Sequence, residues 1–304
     1  MKVREALIVI CGPTAVGKTA AAIGVAERLG GEIVCADSRT IYRGMDIGTA
    51  KPTPTQQARV AHHLLDIANP DQVVTLATYR EMAIAVMARI RANGRVPILS
   101  GGTGLYIQAV VDGFTIPQVP PDFALRTRLE ALERDHPGTL HRRLHEVDPI
   151  AAARIHPRNV RRLSRALEVY EHTGRPISIQ QRRDPIGAAV QVGLTMDRDG
   201  LYRRIEARVD EQLAAGLAGE VQGLLDHGYP PTLPAMQGLG YKEIIEYLRG
   251  AVSLEDAARR LKRNTRRYAK RQFTWFHRDD RIRWLDVDEF GLEEVADRCI
   301  RMVE

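Results

Sequence analysis

Eight residues near the start of the chain, Gly12-Pro13-Thr14-Ala15-Val16-Gly17-Lys18-Thr19, satisfy the pattern G-x-x-x-x-G-K-[ST] at every position. The residue types at this spacing have a physical purpose. The glycines let the backbone curl so that successive N–H groups face inward, the start of the following helix adds partial positive charge, and Lys18 adds a full one. Thr19 is placed to ligate a Mg²⁺ that bridges phosphates. The loop therefore reads as a grip on a diphosphate or triphosphate, without saying that the phosphate belongs to a nucleotide.

Other polar residues fall where they could reach the same substrate. Asp37 follows an apolar run in Ala36-Asp37-Ser38-Arg39, and spacing leaves it three roles: general base, Mg²⁺ ligand, or cap on the following turn. Thr103, after Gly101-Gly102, orients a substrate or caps the next helix. Arg204 and Arg208, four residues apart, are either a second clamp on phosphate or partners of Glu211 and its neighbours. His62, His63, His141, His145 and His156 lack zinc spacing and read as loop and surface residues. Cys11, Cys35 and Cys299 also lack ligand spacing, and read as small buried hydrophobes of a cytoplasmic protein.

Positioning these groups calls for a parallel α/β sheet. Apolar runs at 3–11, 32–36, 63–67 (weaker), 96–99, 190–196 and 283–287 predict strands. Helical spacing is evident over 18–29, closed by Gly30-Gly31, and over 79–92, closed by Asn93-Gly94. Strands that alternate with helices and finish in Gly, Asp or Thr bind ligands beyond their carboxyl ends. Residues 12–19, 37–38 and 101–103 lie there. Between Pro117 and Pro185 strand signals vanish and charged helical spacing takes over, so 116–185 is expected to be a helical insertion into a core of 1–115 and 186–304. Helices resume at Leu201 and at 241–248, and Ser253 with Asp256 predicts a capping box for a basic helix.

Hydrophobic residues make up 44% of the 304, charged residues 27% and aromatics 5%, so the core must rest on Ala, Val, Ile and Leu. No apolar run approaches the roughly 20 residues that cross a bilayer, and residues 6–11 are too short for a secretory signal. The net charge is +6 and the pI about 9.4, with the basic residues clustered. Residues 259–271 (RRLKRNTRRYAKR) contain no acid, and a second cluster spans 154–183. If 159–171 is helical, Leu163, Leu167 and Tyr170 share one face while Arg158, Arg162 and Arg165, edged by Arg161, form another. In the later cluster Leu261, Thr265 and Tyr268 would face inward, with Arg259, Arg263, Arg266 and Lys270 outside. Faces of one sign point to a polyanion such as a nucleic-acid backbone. Phe273, Trp275 and Phe276 nearby read first as core packing, and otherwise as bases' stacking partners.

With these segments in view, the chain resembles the bacterial tRNA dimethylallyltransferases, which move an isoprenoid group onto an adenosine of tRNA. The resemblance covers nearly the whole length. It rests on GPTAVGKT (12–19), ADSRTIYRGMDIGTAKP (36–52), HHLLDI (62–67), GGTGLYIQAV (101–110), HPRNVRRLSRALEVY (156–170), GLGYKEI (238–244) and TRRYAKRQFTWFHRD (265–279). Two positions depart from some members: Thr40, where they carry Gln, and His277, where they carry Arg. No Cys/His extension of the zinc-finger kind is present.

The resemblance implies a P-loop NTPase-like parallel sheet flanked by helices, an inserted tRNA-binding helical domain, Mg²⁺ as cofactor and a cytoplasmic monomer. It implies dimethylallyl diphosphate as donor and the tRNA anticodon stem-loop as acceptor. Its 12–19 loop would hold the diphosphate, with Arg204 and Arg208 as a possible clamp. Asp37 would be the base toward N6 of the adenosine beside the anticodon (tRNA position 37), with Thr103 orienting that base edge. The tRNA-facing set would comprise Asp37, Ser38, Arg39, Thr40, Thr103, Arg126, Arg161, Arg162, Leu163, Ser164, Arg165, Gly240, Tyr241, Lys242, Arg271, Phe273 and Trp275. An adenine amino group is a poor nucleophile whose proton turns acidic only as the N–C bond forms, so Asp37 is expected to work near its ordinary pKa of about 4. Two rival readings are a small-molecule P-loop kinase, which leaves the basic faces unused, and an ATP-switched RNA-binding protein. For the latter only Asp66, after Leu64-Leu65, offers a weak Walker B.

Overall fold

The computed structural model describes residues 7–115, 117–180, 183–185 and 187–303. In chain order the elements are β1 (Leu7–Cys11), α1 (Lys18–Leu29), β2 (Gly31–Cys35), α2 (Pro54–Arg59), β3 (His62–His63), α3 (Leu76–Ala92), β4 (Val96–Gly101) and α4 (Gly104–Val111). Then come α5 (Phe123–Asp135), α6 (Thr139–Val147), α7 (Pro149–Arg154), α8 (Val160–Thr173) and α9 (Ile177–Gln180). The chain closes with β5 (Ala189–Thr195), α10 (Arg198–Ala214), α11 (Leu217–Asp226), α12 (Tyr241–Leu248), α13 (Leu254–Phe276), β6 (Ile282–Asp286) and α14 (Val287–Arg301). The expected start of the first strand, residues 3–6, lies outside the described residues, as do Ile116 at the insertion's expected start and Gln181 and Arg182 in the basic cluster.

The six strands form one sheet in the order β3-β2-β4-β1-β5-β6, with every pairing parallel. Parallel pairing buries both faces, which is why β1 reads LIVIC and is buried at every residue. The local signals work as physics predicts. Gly30 ends α1 at φ 61°, donating its N–H to the Ala26 carbonyl, and the Ser253 hydroxyl accepts from Asp256 N–H at the start of α13, a one-way N-cap in place of the expected reciprocal capping box.

One strand is shorter than its apolar run. Only His62 and His63 pair, because Leu64 and Asp66 take positive φ (65° and 53°) and turn the chain away. Asp66 instead meets Lys51 at 2.6 Å, which removes it as a Walker B acid. Both histidines are half-buried rather than surface residues: His62 Nδ1 bonds the Val60 carbonyl and His63 Nε2 lies 2.6 Å from Glu32.

The chain divides into two compact units. The first takes residues up to Val74, Tyr79–Val111 and everything from Gly187, and holds the sheet; the second takes Thr75–Thr78 and Asp112–Ile186. The second unit has its own core, with Leu125, Leu129, Leu140, Leu144, Leu163 and Leu167 all buried. The three cysteines are free and buried, and burial raises each thiol to about 12. No described helix is long and apolar enough to cross a membrane.

Backbone crowding at the end of β4 sets a testable constraint. A Cβ on Gly101 would stand 2.0 Å from the Ala36 carbonyl oxygen. Gly101→Ala is expected to destabilise the protein by about 2–3 kcal/mol, read as a lowered urea midpoint. An unchanged midpoint would show that β2 and β4 can part there without cost.

Candidate active site

Strands β1, β4 and β2 lie side by side, with Cys11 opposite Gly101 and Cys35 opposite Ser100. The loop after β1, the turn after β2 and the turn after β4 therefore emerge at one level, and they bring together Lys18, Asp37 and Thr103.

The loop curls as its glycines allow, with Gly12 at φ 141° and Gly17 at φ 107°, and Ala15 follows at φ 67° despite its Cβ. A Cβ on Gly12 would stand 2.7 Å from the Leu194 carbonyl oxygen, and one on Gly17 would stand 2.7 Å from the Leu292 side chain. Lys18 Nζ bends back to the Pro13 carbonyl at 2.7 Å. Thr14 N–H donates to Gln272 Oε1 at 2.9 Å, and Gln272 Nε2 donates to the Gly102 carbonyl at 2.9 Å.

Asp37 does two things at once. Its Oδ1 accepts from Arg39 N–H at 2.8 Å, fixing the turn, while the residue lines the adjoining cavity. Burial raises its pKa above the ordinary carboxylate value, against the opposing pull of Arg39 and Lys18. An exposed-carboxylate pKa near 4 is thereby corrected upward. Thr103 accepts from Ser38 N–H at 3.0 Å through its hydroxyl, while its carbonyl takes the Ile107 N–H. Its side chain ties two strand-end turns together instead of capping α4.

The cavity over these turns has a volume of about 340 Å³. Lys18, Arg39, Arg208, Lys242 and Arg271 line it, with Asp37 as the acid among its lining residues; Ile205, Val209 and Leu261 supply apolar wall, and Tyr268 faces in from α13. Arg208 is thus part of the site, its pKa lowered by burial. Arg204 is exposed and lines neither described cavity, so the paired-arginine clamp reduces to one residue. A smaller chamber of about 90 Å³ adjoins, lined by Thr14, Lys18, Thr19, Asp37, Thr40 and Ser100 among others. Thr40 Oγ1 and His62 Nε2, both on its lining, are buried without a hydrogen-bond partner. Among the described residues no three His, Cys, Asp or Glu cluster as a metal nest. The oxygen-rich chamber beside Thr19 suits a hard cation held largely by substrate phosphate and water.

Several expected tRNA-facing residues have other work. Tyr241 is 1% exposed, and its hydroxyl donates to Glu220 Oε1 at 2.6 Å. That carboxylate also accepts from the N–H groups of Asp46, Ile47 and Gly48 at 2.7–3.0 Å. Gly240 is buried, its N–H on Glu243. Phe273 packs on Trp284, with ring centroids 5.8 Å apart, and Trp275 lies against Gly104. Ser38 lines the cavity.

In the helical unit Leu163 and Ser164 are buried. Arg126 grips the fully buried Glu168 through two bonds of 2.8 and 2.7 Å, and Arg165 joins them. Burial raises the Glu168 pKa, but the two arginines more than offset it, so the carboxyl is held below its usual value. Arg158, Arg161 and Arg162 are exposed.

The single-signed faces expected of the basic helix also need correction. Arg259 pairs with Asp256, Arg260 with Glu246, Lys262 with Asp210 and Arg266 with Glu206. Three of those acids come from α10 and α12, so the segment's own sequence could not show them. Arg263, Arg267, Lys270 and Arg271 remain exposed without an acidic partner among the described residues, and they form one stripe at i, i+4, i+7 and i+8.

Comparison with known proteins agrees with this geometry. The family model described as IPP transferase matches residues 40–279. A tRNA dimethylallyltransferase of Desulforudis audaxviator is 54% identical, covering 96% of this chain and 95% of its own; one of Pelotomaculum thermopropionicum is 50% identical, covering 99% and 97%. The solved full-length tRNA isopentenylpyrophosphate transferase of Bacillus halodurans is 42% identical over 98% and 97% of the two chains, with TM-score 0.72. A eukaryotic dimethylallyltransferase solved acting on tRNA is 27% identical over 96% and 76%, with TM-score 0.81.

Burial lowers the Lys18 pKa from 10.5 to about 8; Asp37 opposes this shift and Arg208 adds to it. In the empty site Lys18 gives up its proton as pH rises through about 8, whereas a bound polyanion favours the charged form. The affinity for a diphosphate monoester, already fully ionised in this range, is expected to fall as pH rises above 8. Calorimetry across pH 7–10 checks this, and Lys18→Met should abolish both the dependence and the linked proton uptake.

Proposed function

The chain belongs to the IPP transferase family and acts as a prenyl-transferring enzyme on tRNA; we propose that the cavity over β1, β2 and β4 moves a dimethylallyl group from dimethylallyl diphosphate to N6 of the adenosine beside the anticodon (tRNA position 37). The observation that carries this reading is that Lys18 and Asp37 face one cavity, a phosphate-gripping cation beside a carboxylate whose pKa burial has raised.

In this scheme the 12–19 loop, Lys18 and Arg208 hold the diphosphate, and their charge stabilises the negative pyrophosphate that departs as the C–O bond breaks. Ile205, Val209 and Leu261 give the prenyl group an apolar wall that keeps water from an electron-poor allylic carbon. The N6 lone pair forms the new N–C bond, and Asp37 takes the proton that becomes acidic with it. The Asx turn to Arg39 N–H holds the carboxylate in place. Thr103 lines neither described cavity and acts through Ser38, whose N–H it holds, to fix the turn that carries Asp37. Thr19 would be the chain's ligand for a Mg²⁺, which when bound would supply charge neutralisation to the diphosphate. Extracting the adenosine from its stack costs about a few kcal/mol, which phosphate contacts on basic surfaces offset.

The decisive assay combines purified protein, undermodified tRNA, Mg²⁺ and labelled dimethylallyl diphosphate. Label is expected in tRNA, with pyrophosphate released. Transfer of the terminal phosphate of ATP to a small acceptor would instead make the protein a kinase.

Asp37→Ala is expected to lower kcat by about 100-fold or more while tRNA binding persists. The wild-type rate should decline on acidification, starting at a pH above that of an ordinary exposed carboxylate, because the base is lost as pH falls through a raised pKa. Near-normal turnover of Asp37→Ala would leave this residue only its turn-fixing role.

Arg161→Ala and Arg162→Ala are expected to weaken tRNA binding and to flatten its dependence on salt by about one unit of slope per lost phosphate contact. An unaltered slope in filter binding would show that these arginines meet no phosphate.

A further inference from the structure

Gln272 sits where the parts of the site meet. It lies near the end of α13 and is 6% exposed, and its side-chain amide spans two strand-end segments. Thr14 N–H can only donate and the Gly102 carbonyl can only accept, so the amide has one orientation that satisfies both: Oε1 to the loop and Nε2 to the end of β4. Gly102 makes room for it, since a Cβ there would stand 2.3 Å from Gln272 Nε2. The residue after Gly102 is Thr103, whose hydroxyl holds Ser38 N–H beside Asp37. One amide therefore stands between the phosphate loop and the turn that orders the carboxylate.

The same helix faces the main cavity through Thr265, Tyr268 and Arg271. Helix, loop and strand end are thus locked together by two hydrogen bonds, one buried and one partly buried, where an unpaired donor or acceptor is costly. We propose that Gln272 is a positioning residue: by holding Thr14 N–H and the Gly102 carbonyl at once, it sets the curl of the phosphate loop against helix α13 and the β4 turn, and so sets affinity for the donor's diphosphate. This inference rests on the prenyl-transfer reading for its substrate.

The test uses the full chain with inorganic pyrophosphate and Mg²⁺, measured by calorimetry, beside tRNA filter binding and thermal midpoint. Gln272→Met keeps length but loses both bonds, and is expected to weaken pyrophosphate about 10-fold. Gln272→Glu can still accept from Thr14 but cannot donate to Gly102 when ionised, and places negative charge beside the cradle; a loss of about 100-fold is expected. Gly102→Ala, which pushes the amide from the opposite side, should reproduce the Gln272→Met loss without altering Gln272 itself. In all three, affinity for tRNA should stay within about two-fold, and KM for dimethylallyl diphosphate should rise in the same order as the pyrophosphate constant.

Pyrophosphate binding within about two-fold of wild type in both Gln272 variants would overturn the inference. So would equal losses for pyrophosphate and tRNA that follow the thermal midpoint, the mark of a general structural role. Should Gln272→Met not fold, Gly102→Ala and Gln272→Glu decide by the same criteria. A wild-type protein that binds pyrophosphate but puts no prenyl group into tRNA would refute the proposed reaction alone, since the pyrophosphate comparison does not depend on transfer.

Discussion

The enclosure of cationic side chains and one carboxylate around a single cavity sets the character of the first unit's site. Lys18, Arg39, Arg208, Lys242 and Arg271 share a cavity wall with Asp37, and enclosure is visible in the titration of Lys18, Arg208 and Asp37. Burial makes Lys18 and Arg208 easier to deprotonate than in water, and Asp37 harder to ionise, despite opposite charge close by. Such a site is poised for an anion, whose negative charge would offset the excess of cations on the wall. Lys18 meanwhile rests on the Pro13 carbonyl, a partner that it can exchange for phosphate oxygen.

A wall of like charges cannot hold itself together, so its segments are braced from behind. Glu220 takes three successive N–H groups of residues 46–48 and the Tyr241 hydroxyl, and Gln212 donates to the Ile47 carbonyl at 2.6 Å. Lys51 ties the far end of that segment to Asp46, Asp66 and the Tyr42 carbonyl. The motif DIGTAK is thus held by the half-buried Glu220 and Gln212 and the buried Tyr241, on three helices, and its Gly48 is pressed by the Tyr241 ring, where any Cβ would stand 2.6 Å from ring carbon. Tyr241 acts as a post behind the cavity wall, which the motif GLGYKEI by itself does not distinguish from a residue that touches RNA.

What sequence could show is what local physics decides. The phosphate loop follows from glycine placement between a strand and a helix, the parallel sheet from apolar runs alternating with helices, and the grouping of Lys18, Asp37 and Thr103 from each following a strand. What it could not show depends on partners far along the chain. Gln272 meets Thr14 across 258 positions and Glu220 meets Asp46 across 174, and no spacing rule reaches so far. Arg126 and Arg204 illustrate the same limit: an arginine's type is legible, but whether it meets a buried glutamate or open water is decided by packing. The raised pKa of Asp37 is likewise a property of enclosure, absent from the tetrapeptide that contains it.

The two basic helices differ in what they can offer a nucleic acid. Along the first half of α13 each of four cations already has a carboxylate, so contact with a phosphate would exchange one partner for another and release little counterion. The stripe Arg263, Arg267, Lys270 and Arg271 is unpaired among the described residues and ends beside the cavity that Arg271 lines. In α8 the inner arginine, Arg165, is spent on Glu168, and the outer pair, Arg161 and Arg162, faces water. Salt dependence should therefore follow the number of unpaired cations rather than the total, and the formal charge of +6 is a poor guide to it. Neutralising Arg259 or Arg260, already paired with Asp256 and Glu246, would turn an ion pair of no net charge into a lone carboxylate, which repels a polyanion.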